Sequence, residues 1–96
     1  MTMLEIQNVN QPGKTYRVEA TKFNAIKAVM LKVMPKDGPG HTQSEMVAAV
    51  KTAAPQDLFP GGATSGWWTK SVQLDMEAKG ELVRIPGKPT RWRLPA

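Results

Sequence analysis

Leu4 and Ile6 alternate with Glu5 and Gln7 over Met3–Gln7, and Tyr16 and Val18 alternate with polar residues over Thr15–Glu19. A period of two predicts short strands. The stretch between them, residues 8–14, is turn-rich and punctuated by Pro12-Gly13, so the two runs are expected to pair as an N-terminal β-hairpin. A lone hairpin is marginal in water, so it should dock on the helices or on a second copy of itself. Over residues 21–34 the period changes. Phe23, Ile26, Met30 and Val33 recur at spacings of three and four, with Val29 and Met34 widening the stripe, which predicts a helix with one buried face. Lys22, Lys27 and Lys32 mostly fall off that stripe and are expected in solvent, and Pro35 closes the helix. Thr42-Gln43-Ser44-Glu45 has the form of a capping box, with Glu45 reaching back to the cap. The helix behind it, over residues 43–52, buries Met46, Val47 and Val50, and Pro55 lies beyond its end. Leu58 and Phe59 are apolar enough to tuck back under the helices.

The stretch from Ser65 to Leu94 organises the remainder. It reads as a helix over 66–79, with Ser65 or Thr64 placed to cap it and Gly80 to end it in the left-handed conformation. Two strands follow, joined by Pro86-Gly87-Lys88-Pro89. The order hairpin, three helices, hairpin buries all these faces in one core when the last hairpin forms a two-stranded wing. The expected fold is therefore α+β, a winged helix-turn-helix with an N-terminal β-hairpin. It is one domain over 1–96, with the hairpin at 1–19, the three-helix core at 20–80 and the wing at 81–96. At about 100° per residue, Trp67, Ser71, Leu74 and Ala78 share one side of the third helix, with Trp68, Val72 and Met76 beside them. Thr69, Lys70, Gln73 and Glu77 lie on the other side. Trp67, Leu74, Phe23, Ile26, Val50 and Trp92 are accordingly expected in one core. With 86–89 as the wing loop, Val83, Ile85, Trp92 and Leu94 share one face and Arg84, Arg91 and Arg93 the other.

Composition changes this picture in a few places. Ninety-six residues suit a single small core. The absence of cysteine excludes a disulfide framework and suits a reducing cytoplasm. The longest apolar-rich run, residues 25–34, is broken by Lys27 and Lys32 and falls well short of the roughly 20 residues that cross a bilayer. The N-terminus shows no basic segment followed by an apolar stretch, so a secretory signal is not expected. A cytoplasmic protein without membrane contact is the expectation. The net charge of +5 favours polyanionic partners, and its placement matters more than its sum. Arg84, Lys88, Arg91 and Arg93 crowd into residues 84–93 with no acid among them.

Phe59-Pro60-Gly61-Gly62, Gly66-Trp67-Trp68, Lys70, Val72-Gln73-Leu74-Asp75 and Glu77-Ala78-Lys79-Gly80 form a string that resembles a family of small, uncharacterised bacterial proteins placed among winged-helix domains. The similarity runs from Pro12-Gly13 through Arg91-Trp92. That family carries no assigned activity, so the resemblance implies a fold and a cellular setting, and DNA binding only by analogy with the fold.

Two functions follow as expectations. The first is binding of double-stranded DNA, as a regulator or accessory factor. Gln73 would read adenine in a major groove, Lys70 would take a phosphate or guanine, and Thr69 shares their face. Arg84, Lys88, Arg91 and Arg93 would hold phosphates from the wing, because Arg84 opposite Arg91 is repulsive unless an anion lies near. The second is a winged helix used for protein–protein contact, in which the polar face is simply solvated. A homodimer through the N-terminal hairpin is a further expectation. Trp67 and Trp68 point about 100° apart on a helix, so core packing is favoured over a joint stacking platform for bases. Asp75 falls within the apolar arc and needs a partner, with Arg84 or Arg93 as first candidates and Lys79 at i+4 as a third. His41 is the only histidine and is expected in the loop before the capping box. One imidazole and no cysteine make neither a metal-ligand spacing nor a catalytic dyad. With no nucleophile, base and orienting group in view, neither enzyme activity nor a cofactor is expected.

Overall fold

A computed structural model describes residues 2–95. The elements are β1 (Met3–Gln7), β2 (Thr15–Glu19), α1 (Ala20–Val33), β3 (His41–Thr42), α2 (Gln43–Ala53), α3 (Ser65–Ala78), β4 (Val83–Ile85) and β5 (Arg91–Arg93), with a 3₁₀ turn at Pro60–Gly62. The fold is α+β, with three helices and two small antiparallel sheets. One sheet is the β1–β2 hairpin and the other has the order β3–β5–β4.

The hairpin pairs as its alternation predicts, with Leu4 opposite Val18 and Ile6 opposite Tyr16, so these four side chains share one face. Ile6 and Val18 are buried and Leu4 packs against the core, whereas Tyr16 stays 40% exposed with its hydroxyl on Gln11 Oε1. The hairpin reaches α3 through a hydrogen bond from the Gln7 N–H to Asp75 Oδ1 at 2.8 Å.

The three helices start in different ways. Glu19 caps α1, its carboxylate accepting the N–H groups of Thr21 and Lys22. Thr42 and Glu45 close the expected capping box on α2. α3 has no side-chain cap. Thr64 sits in the left-handed region at φ 61°, and the Ser65 hydroxyl donates instead to the Gly62 carbonyl. The start of α3 is thus set by packing rather than by a cap, which is how most helices in proteins are held. At its end Gly80 takes φ 74°, as expected, and the Glu81 N–H closes onto the Met76 carbonyl.

Phe23, Ile26, Val50 and Trp92 are buried in one cluster with Met30, Met46, Phe59, Trp68, Val72 and Met76. Trp67 and Leu74, expected beside them, are not in it. Trp67 is 60% exposed and Leu74 is half-buried. The face of α3 that meets α1 and α2 is Ser65, Trp68, Thr69, Val72, Gln73 and Met76. Small residues at Ser65 and Thr69 let the helices approach, and the Thr69 hydroxyl donates to the Ser65 carbonyl at 2.7 Å. Burying that polar group therefore leaves no bond unmade.

The second sheet holds a strand that sequence pattern alone assigns to a loop. His41 pairs with Trp92 and Thr42 with Arg91. Gly40, at φ 84°, permits this approach, because a Cβ there would run into the Trp92 carbonyl. The wing register also differs from expectation by one residue. Val83 faces Arg93, Arg84 faces Trp92 and Ile85 faces Arg91. Leu82, Trp92 and Leu94 are all buried, and this register, unlike the expected one, puts all three on one face. Among the described residues, no helix is long and apolar enough to cross a membrane.

Candidate functional site

The residues that sequence analysis assigns to DNA do not come together on one surface. Thr69 and Gln73 are fully buried, so neither reaches a groove. Neither the amide oxygen nor the amide nitrogen of Gln73 has a hydrogen-bond partner. Lys70 is exposed on the outward side of α3, as expected.

The wing arginines have partners within the chain. Arg84 does not oppose Arg91. Its Nε donates to Glu77 Oε1 at 2.8 Å, and its guanidinium lies 5.6 Å from the centre of the Trp92 ring. Glu77, expected in solvent, is 4% exposed in this pair. Arg91 donates to the Gly40 carbonyl at 3.2 Å and to Glu45 at 3.3 Å. Arg93, half-buried, donates to the Leu94 carbonyl. Lys88 stands exposed at the wing tip, with no ion pair among the described residues. The anions that balance the wing are thus Glu77 and Glu45. Glu81 pairs with Lys27 at 3.0 Å. Glu45 also accepts the Thr42 N–H, and that bond, with a lesser contribution from Arg91, holds its carboxyl below the usual range. The N–H groups of Lys22 and Thr21 lower Glu19 in the same way.

Asp75 is fully buried between two elements. Lys79 Nζ donates to its Oδ2 at 3.0 Å, and the Gln7 N–H takes the other oxygen. The partner is therefore the lysine one turn on plus the hairpin backbone, not Arg84 or Arg93. A carboxylate with both oxygens engaged is a structural clasp between α3 and β1.

The outward side of α3 holds something else. Trp67 and Leu74, with Ser71, form one wall of a groove of about 290 Å³ whose opposite wall is the hairpin, with Ile6, Tyr16, Arg17 and Val18. Trp67 meets Trp68 edge-to-face, with ring centres 5.0 Å apart, so one indole seals the core while the other faces solvent. A second depression of about 210 Å³ shares Gln7 and Asn8 with the first and continues to Lys14 and Ala78. No acidic side chain lines either one. The sequence carries only a partial signal for this surface: adjacent residues on a helix point about 100° apart, so Trp67 and Trp68 differ in direction, but the pattern does not say which of them is exposed.

The three helices, the hairpin and the three-stranded sheet define a small α+β domain with an apolar groove along its third helix. Residues 3–92 match the model of a family of unknown function, DUF6958, and the chain belongs to that family. No curated protein and no solved structure matches it.

Proposed function

We propose that this chain is a winged-helix module that binds another protein through the outward side of α3. The winged-helix reading is supported by the order of elements. A strand between the first and second helices adds to the C-terminal hairpin, giving β3–β5–β4, and the third helix lies directly before the wing. On that reading α3 occupies the recognition position.

The observation that carries the choice of partner is Trp67, 60% exposed over an apolar groove. Tryptophan on a concave apolar surface is the side chain most enriched among residues that dominate protein interfaces. A duplex-reading helix needs outward polar side chains that reach base edges. Here Gln73 and Thr69 are inside, and the outward stripe is Trp67, Lys70, Ser71, Leu74 and Ala78. Arg84 and Arg91 are already neutralised by Glu77 and Glu45.

The test is selection of binders from a displayed random-peptide library on the wild-type chain and on Trp67→Ala, with a duplex-DNA salt titration alongside. The expected result is peptides that bind wild type and lose it on Trp67→Ala, with only weak duplex binding at low salt. A selection that returns no Trp67-dependent peptide, alongside tight duplex binding that weakens steeply with salt, overturns the proposal in favour of DNA.

A further inference from the structure

Resting on the protein-docking reading, we infer that the occupant of the α3 groove is an acidic amphipathic segment of a partner, with apolar anchors that seat on Trp67 and Leu74. Two features of the groove point there. The floor is apolar, built from Ile6, Val18, Trp67 and Leu74. The cations that line it carry no ion pair among the described residues. Arg17 lines the first depression and Lys14 the second, both are exposed, and neither has an ion pair among the described residues. Lys70, three residues after Trp67, is exposed and unpaired as well. Glu5, across the ladder from Arg17, accepts the Thr15 hydroxyl, and Glu77 holds Arg84.

Other occupants fit less well. A second copy would bring its own net charge of +5 against this basic rim. A small molecule would be poorly enclosed, because the two depressions spread along α3 from Trp67 to Ala78, about 16 Å at ~1.5 Å per residue. That length suits about three turns of a docked helix, which would present its anchors at i, i+3, i+4 and i+7. A nucleic acid would set phosphates against an apolar floor. An acidic amphipathic segment satisfies the floor and the rim together.

The probe is a synthetic amphipathic peptide of about 12 residues, built of Leu, Phe and Glu, whose length follows from the helical rise. It is compared with two versions in which every Glu is Gln or Lys. Binding to the full chain is followed by fluorescence anisotropy of a dye on the peptide. The Glu peptide should bind best and the Lys peptide should not bind. Trp67→Ala should weaken the Glu peptide by about tenfold or more, and Lys14→Glu with Arg17→Glu by a comparable factor that shrinks with added salt. Both variants should remain folded, with melting temperatures within several degrees of wild type, since all three residues are exposed. Gln and Lys peptides that bind as tightly as the Glu peptide would overturn the acidic inference and leave the docking reading standing. Failure of all three peptides overturns the inference as well. The docking reading then falls only if the library selection also yields no Trp67-dependent binder.

Discussion

The inner and outer faces of α3 reverse the ordinary arrangement of a surface helix. Inside, Thr69, Gln73 and Asp75 lie fully buried beside Trp68, Val72 and Met76. Outside, Trp67 and Leu74 meet solvent along a groove walled by the hairpin. The inner polar groups are largely accounted for within the chain, Thr69 by the Ser65 carbonyl and Asp75 by Lys79 and the Gln7 N–H. The outer apolar groups have no such account. The difference teaches that polarity does not mark the working face of this helix. Of its buried polar residues, Thr69 and Asp75 fasten the fold, and on the proposed reading its exposed apolar ones serve a partner.

Truncations on the two faces should separate most strongly in stability. Val72→Ala or Met76→Ala should cost about 2–5 kcal/mol by urea unfolding, since both residues are fully buried. Trp67→Ala should cost under about 1 kcal/mol, as an exposed side chain. Equal losses on the two faces would erase the distinction. Next in size, Asp75→Asn should destabilise by roughly 1–3 kcal/mol, because it breaks the ion pair and leaves the buried clasp between α3 and β1 mismatched. The loss should appear in the same unfolding measurement with the helical circular dichroism of the folded state unchanged.

Smaller and opposite in sign is the effect at Gln73. Replacing it by Met, of similar volume, removes two buried atoms without partners and should raise stability by about 1 kcal/mol or more. A neutral or destabilising Gln73→Met would show that the amide is not left without partners. The smallest expected effect lies outside α3. Glu19 and Glu45 have carboxyl groups held below their ordinary range by backbone N–H bonds at helix starts. Their contribution to stability is complete above the unfolded carboxylate range near 4.5 and is lost as pH falls through their lower folded values. Acid unfolding of Glu45→Gln should therefore be less steep than that of wild type, while Trp67→Ala should follow the wild-type curve.

Much of the scaffold is legible in the residues. The alternation of Leu4, Ile6, Tyr16 and Val18 specifies the hairpin, and Thr42 with Glu45 specifies the start of α2. Both signals are local, so no knowledge of the rest of the chain is needed to read them. The phase of α3 is not local. Its sequence offers an apolar arc wide enough to place either Trp67 or Trp68 inside, and the fold places Trp68 inside together with Ser65 and Thr69. The wing register is non-local for the same reason. β3 is only two residues long, too short to show a period, yet its pairing of His41 with Trp92 helps to decide which face of β5 turns inward. The DNA-facing residues expected from the wheel followed that phase, so Thr69 and Gln73 moved inside with it.

The most direct measurement is a pair of NMR titrations of the isotope-labelled chain, one with the acidic amphipathic peptide and one with a duplex DNA. With the peptide, shifts should concentrate at the Trp67 indole and at Gln7, Arg17, Ser71 and Leu74, and the duplex should give weak shifts that vanish with added salt. Shifts from the duplex that cluster at Lys70, Lys88, Arg91 and Arg93 and persist at physiological salt, with none from the peptide at Trp67, would contradict the account.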